Sequence, residues 1–346
     1  MQAKYSIGID LHKSVIQVCV LDERGEVIEE FRESIETREE GRIVVERLTT
    51  WREGGRLVVE AVGVNRWFVN ACHETGLGIV VADPVKLNLQ MLGKKTDRRD
   101  ARELARRLYL GDIDAYGTTY YPTEEEYGVR KILRVRHHLV KVRKQITSQL
   151  RAFLNAYKLP ARVVLYGTRS MEQLKRLLFP TEELNVCFSS LLSSLESIQQ
   201  TIEHLSEQIR KRAAEEKLRN VRTALPGVGP QTAATLVYEL GDVNRFANAK
   251  AVAAYAGLVP RVSQSADTKH HGRLTKRGNR ELRWILGEWA VRLLKTNRLA
   301  QAWAKPLLRR MHKNKVRMAL ARRLLIGVYI LLKRGEVFSL ERCLAV

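Results

Sequence analysis

The sequence predicts an α/β domain followed by a mostly α-helical, strongly basic half. Three observations carry that expectation. Over the first 110 residues, short apolar runs alternate with stretches of helical periodicity in the order β-β-β-α-β-α-β-α. From Pro122 on, apolar residues recur at roughly helical spacing. Charge is also segregated. Of the net +22, residues 1–110 contribute zero, residues 111–220 contribute +5 and residues 221–346 contribute +17. So basic a chain expects a polyanion as partner, gripped mainly by its C-terminal part.

The elements follow in order. Tyr5–Asp10, Val15–Asp22 and Glu26–Glu33 read as strands, with Asp22-Glu23-Arg24-Gly25 as a hairpin turn between the last two. Thr37–Arg52 reads as a helix, because Thr37 and Glu40 have the spacing of a capping box and Gly54-Gly55 stops it. Arg56–Glu60 is a short buried strand. Asn65–Thr75 is a helix closed by Gly76, and Leu77–Ala82 is a strand ended by Asp83-Pro84. Val85–Leu110 is expected to be mostly helix, interrupted near Gly93. This is the element order of ribonuclease H.

In that order, four carboxylates take meaningful places. Asp10 and Glu60 end strands, and Asp97 and Asp100 lie three residues apart on the last helix. Each acid alone reads more simply as a turn residue or a solvated salt-bridge partner; order and placement make the signal. Gathered without cations, each like-charge pair at about 4 Å would cost roughly 4 kcal/mol at an effective dielectric near 20. Some would protonate instead. Magnesium or manganese removes the conflict, and two such ions can activate an attacking oxygen and stabilise a leaving one. Chemistry on phosphodiesters is the expectation. An actin-like sugar kinase also fits Gly8-Ile9-Asp10, but His12-Lys13 stand where its glycine-rich phosphate turn belongs.

Cys19, Cys72, Cys187 and Cys343 are scattered with no CxxC, suggesting neither zinc nor a disulfide scaffold, and a reduced cytoplasm is the expected setting. Asp10, His12 and Lys13 interrupt any signal-peptide core, and no apolar run approaches a membrane span.

Residues 122–157 read as a long basic helix capped by Thr123. In 181–219, Leu184, Leu191, Leu195, Ile198, Ile202, Leu205 and Ile209 approximate heptads, as a coiled-coil arm or an ordinary helical hairpin would. Leu225-Pro226-Gly227-Val228-Gly229 resembles the turn of a helix-hairpin-helix motif, in which backbone N–H groups near Gly227 and Gly229 approach a phosphate. A basic loop follows, carrying Arg261, Ser263, Ser265, His270, His271, Arg273, Lys276, Arg277 and Arg280, with Arg283 just beyond. From the residues alone its serines read as turn or phosphate contacts, and the histidine pair as part of a solvated loop. Trp284, Trp289 and Trp303 lie among the later charges, at spacing that suits core anchors better than base stacking.

Six segments in this order resemble the IS-one-ten family of DEDD transposases, which includes the pilin-gene invertases. They are Gly8-Ile9-Asp10-Leu11-His12-Lys13, Val59-Glu60-Ala61, Lys95–Ala101, Leu225–Gly229, Ala256-Gly257-Leu258-Val259-Pro260 and Thr275–Arg283. The resemblance covers nearly the whole chain. It implies a RuvC-like domain over 1–115, a helical coiled-coil region over 116–220 and a basic C-terminal transposase domain over 221–346. It implies metal ligands at Asp10, Glu60, Asp97 and Asp100, and a catalytic serine in the C-terminal loop. Ser265 is the choice and Ser263 the reserve; the family sets a glycine after the serine, where this chain has Ala266. It also implies guidance by a structured bridge RNA that pairs with donor and target DNA, and a dimer or tetramer to hold two sites together.

The expected function is therefore DNA transposition through a magnesium- or manganese-dependent acid cluster and a serine nucleophile. The alternatives are a metal nuclease of the Holliday-junction type, using water, and a non-enzymatic nucleic-acid scaffold.

Overall fold

The computed structural model describes residues 3–84, 86–87, 96–159, 168–265, 268–275 and 277–345; for Tyr116, Thr168, Arg169 and the residues within 261–273 it describes the backbone alone. The chain forms two compact units, residues 1–121 and 122–346.

In the first unit, β1 (Tyr5–Leu11), β2 (Val15–Leu21) and β3 (Val27–Ser34) form an antiparallel meander. Helix α1 (Arg38–Leu48) begins at the Thr37–Glu40 capping box. β4 (Gly55–Glu60), α2 (Arg66–Glu74) and β5 (Gly78–Ala82) follow, and both strands join in parallel to give the order β3-β2-β1-β4-β5. Side-chain alternation divides the sheet into two faces. Ile7, Ile9, Leu11, Leu57 and Val59 meet Val44, Leu48, Phe68 and Val69 of α1 and α2 on one face. Val58, Cys19 and Leu21 meet α3 (Asp97–Tyr109) on the other.

The approach of α3 is very close. A Cβ built on Gly8 would lie 2.0 Å from the Ala101 carbonyl oxygen and 2.3 Å from the Ala105 nitrogen, so no larger residue fits while the helix stays in place. Gly8, Ala101 and Ala105 thus let the helix backbone rest on β1, which sets its first turn beside the end of that strand. Lys86 and Leu87, expected within this helix, lie in a turn. The helix starts at Asp97, where the Thr96 side chain accepts from the Arg99 N–H. Asp83 instead closes a turn, accepting from Lys86 and Leu87. Among residues 85–96 only Lys86, Leu87 and Thr96 are described, so the expected interruption at Gly93 lies outside the described residues.

The second unit opens with α4 (Glu124–Ala156), again on a capping box, Thr123 with Glu126. After α5 (Thr168–Lys175), α6 (Glu182–Arg212) returns antiparallel to it. Glu125 pairs with Arg212 at one end, Arg136 donates to Ser206 and Arg143 to Gln199 along the middle, and Leu150 and Leu154 pack with Phe188, Leu192 and Leu195 at the other end. The heptad-like stripe of α6 is therefore used within the chain. α7 (Glu216–Ala224) and α8 (Pro230–Leu240) are joined by the glycine turn. α9 (Ala249–Tyr255), the hairpin β6 (Pro260–Ser265) and β7 (Thr268–Leu274), α10 (Arg280–Thr296), α11 (Arg298–Leu308), α12 (Lys313–Arg334) and α13 (Leu340–Ala345) complete the unit. Its core runs through α8, α10 and α12; Trp289 is buried there and donates to the Pro226 carbonyl. Among the described residues, no helix is long and apolar enough to cross a membrane.

Candidate metal centre

The parallel register of β1 with β4 pairs Ile9 with Val59, so Asp10 and Glu60 follow as neighbours at the strand ends. Their odd-numbered neighbours face the α1–α2 core, and alternation turns both acids toward the α3 face. Asp97 and Asp100 occupy the first turn of α3, where the positive end of the helix dipole favours carboxylates.

Asp10 and Asp97 come together with a residue the sequence reading passed over. The His12 Nε2 lies 3.2 Å from Asp10 Oδ2 and 3.4 Å from Asp97 Oδ1. Among the described residues, one ligand atom from each of Asp10, His12 and Asp97 lies within 4.8 Å of the others. The sign was available in the chain, since His12 stands two residues past Asp10, just beyond the strand. Asp10 is largely covered, and burial pushes its carboxyl pKa up, with Asp97 and Asp100 adding to the rise and His12 opposing it. Asp100 is thus within electrostatic reach, while Glu60 stands one strand over on the same face. Two carboxylates and an imidazole, with further acids around them, are a donor set suited to a divalent cation.

A clamp fixes the helix that carries Asp97 and Asp100. Glu30 on β3 takes hydrogen bonds from both Arg98 and Arg102, one helical turn apart. The Arg102 contact first, then that with Arg98, lowers the Glu30 pKa from the usual 4.5 to about 2. A depressed carboxylate stabilises the fold above its unfolded pKa and ceases to do so as pH falls through its folded one. Urea midpoints of the wild type should therefore fall between pH 4.5 and pH 2. Glu30→Gln should be less stable at pH 7 and flatter across that window; an unchanged acid limb would remove Glu30 as the clamp.

In the second unit, Ser263 and Ser265 lie on a β-hairpin and not in an irregular loop. Ser265 pairs with Thr268 at its tip and Ser263 with His270 below it. The side chains of Ser263, Ser265, Arg261, His270, His271 and Arg273, and all of Lys276, lie outside the described residues. The hairpin base is tightly held. Gly257 and Gly278 both have positive φ, and a Cβ at either would strike a carbonyl oxygen, Arg277's at 2.3 Å or Tyr255's at 2.2 Å. Beneath them Glu239, fully buried, accepts two hydrogen bonds from Arg134 and one from Asn279, the N-cap of α10. Tyr255 donates to the Glu239 carbonyl. Arg283 donates to the Ala256 carbonyl, and burial, then Arg280, push its pKa down. Arg277 and Arg280 flank the same turn. The Gly257 and Gly278 segments therefore owe their composition to a close backbone contact.

Two family models match parts of the chain, the first of them running across the boundary between the two units. Residues 7–159 match the model of the IS110 DEDD transposases, described as a transposase, and residues 220–304 match one described as a transposase of the IS116/IS110/IS902 family. The chain is 28% identical to a transposase for insertion sequence element IS1111A from Coxiella burnetii, with 96% of this chain and 90% of that one covered. It is 26% identical to a probable family 20 transposase from Pseudomonas aeruginosa, over 96% and 98% of the two chains. It is 28% identical to a transposase for insertion sequence element IS1328 from Yersinia enterocolitica, over 63% and 66%.

Proposed function

This chain belongs to the IS116/IS110/IS902 family of transposases, and on that premise we propose that it cuts and rejoins DNA at an insertion sequence through a divalent-metal centre and a serine nucleophile. The observation that carries the reading is the meeting of Asp10, His12 and Asp97 where β1 runs into the first turn of α3. Asp10, Glu60, Asp97 and Asp100 would hold magnesium or manganese. The bound ion supplies charge stabilisation at a phosphoryl oxygen and at the leaving oxygen.

Ser265 is the nucleophile of this reading. Its Oγ attacks a DNA phosphorus, the bond from phosphorus to a sugar oxygen breaks, and the released sugar hydroxyl takes up a proton as the serine gives one up. The strand stays attached as a phosphoserine. A hydroxyl of the incoming strand then attacks the phosphoserine, restores the serine and leaves the number of phosphodiesters unchanged. Arg261, Arg273, Lys276, Arg277, Arg280 and Arg283 would hold the phosphates, and the charge of +17 beyond residue 221 supports that role. The Gly227–Gly229 turn, opening α8, would act as a helix-hairpin-helix phosphate contact. In this reading the segments 1–115, 116–220 and 221–346 serve as a RuvC-like metal domain, a coiled-coil region and the DNA-joining domain. Donor and target are selected by a structured guide RNA, and two or four copies hold the sites together.

The test is the covalent adduct. With end-labelled DNA, manganese or magnesium, and the wild type, a protein–DNA adduct should survive denaturing electrophoresis. Ser265→Ala should bind DNA as before and form none. An adduct at wild-type level in that variant would remove Ser265, and cleavage by the wild type with no adduct would favour water as nucleophile.

A further inference from the structure

We propose that His12 is a direct ligand of the divalent ion, a nitrogen donor that tilts the centre from magnesium toward first-row transition ions such as manganese. The inference rests on the metal-centre reading above. The spacings argue for it. With a metal–ligand bond of about 2.1 Å, two ligand atoms at right angles lie about 3.0 Å apart, and at the tetrahedral angle about 3.4 Å apart. The Nε2 of His12 lies 3.2 Å from one carboxylate oxygen and 3.4 Å from the other, so both separations fall where ligands of one ion belong. In the ion-free chain the same Nε2 bridges the two carboxylates as hydrogen-bond and ion-pair partner, so the three donor atoms already converge on one point.

Among the described residues, the neighbouring guanidinium leaves that position to the imidazole. Arg32, a cation beside the trio, approaches Asp97 at Oδ2, 3.8 Å away, while His12 faces Oδ1. The backbone orients the ring: the His12 N–H donates to the Val15 carbonyl at 2.9 Å, closing the turn between β1 and β2. The side chain is 53% exposed, so packing does not hold it against the acids. Magnesium prefers an all-oxygen shell, whereas an imidazole is a good donor to transition ions, whose affinity rises along the series from manganese.

Manganese itself is the probe, added to the full chain and followed by electron paramagnetic resonance, with magnesium as competitor. The wild type should bind manganese at least about tenfold more tightly than magnesium, and its spectrum should carry modulation from a directly bound imidazole nitrogen. His12→Ala should lose the modulation and about tenfold or more in manganese affinity, with a smaller loss for magnesium; its unfolding midpoint in EDTA should stay near wild type. Manganese that binds in an Asp10-dependent way without nitrogen modulation overturns the role of His12 and spares the centre. Manganese affinity unchanged by Asp10→Asn overturns the centre, and this inference with it.

Discussion

Asp10→Asn lowers metal-dependent DNA cleavage roughly a thousandfold, the scale of losing a charge-stabilising group at a reacting centre. The asparagine keeps the shape and the hydrogen-bonding reach toward His12, but it takes away the anion that lies 3.2 Å from His12 and within 4.8 Å of an Asp97 oxygen. The same substitution has an opposite effect on metal-free stability. Burial first, then Asp97 and Asp100, hold the folded Asp10 carboxyl above its usual 3.8. The folded chain therefore binds that proton more tightly than the unfolded chain does, and stability is lost as pH rises through the interval above 3.8. At neutral pH in EDTA, Asp10→Asn should melt higher than the wild type, while its melting point should no longer rise on adding manganese. Single-turnover cleavage and paired melting curves check the two halves, and undiminished cleavage would remove Asp10 as a ligand.

Arg134→Met destabilises the second unit by about 3–5 kcal/mol, because it strands a buried carboxylate. Glu239 is fully covered, and Arg134 supplies two of the hydrogen bonds on its oxygens. Glu239→Gln should cost clearly less. Arg134 is 48% exposed and turns to water when its partner is neutral, and the amide oxygen can still accept from Asn279. The double variant should recover part of the Arg134→Met loss, as two residues of one network do. Urea unfolding of the four proteins measures the cycle. Equal losses in the two single variants would mean that the buried carboxylate is not what matters at the hairpin base.

The first unit was legible because its strands are short apolar runs broken by turn residues, and because capping boxes mark helix starts by chemistry. The strand ends at Asp10 and Glu60 followed from the same punctuation. Where α3 begins was less visible, since Thr96 caps it but the basic run before Asp97 has the composition of a helix too. His12 escaped notice because one histidine past a strand is ordinary until the helix that brings Asp97 is placed beside it. The β6–β7 hairpin was hidden because Ser263, Gln264, Thr268 and Lys269 carry no apolar alternation; backbone pairing forms it. Glu239 was hidden for a related reason. Its partners Arg134 and Asn279 lie 105 and 40 residues away, and local patterns do not report such contacts.

The most direct measurement is anomalous scattering from a crystal grown or soaked with manganese. The account predicts a peak within bonding distance, about 2.1 Å, of Asp10, His12 and Asp97 at once. Manganese found elsewhere in the chain, with these side chains drawn apart, would contradict it.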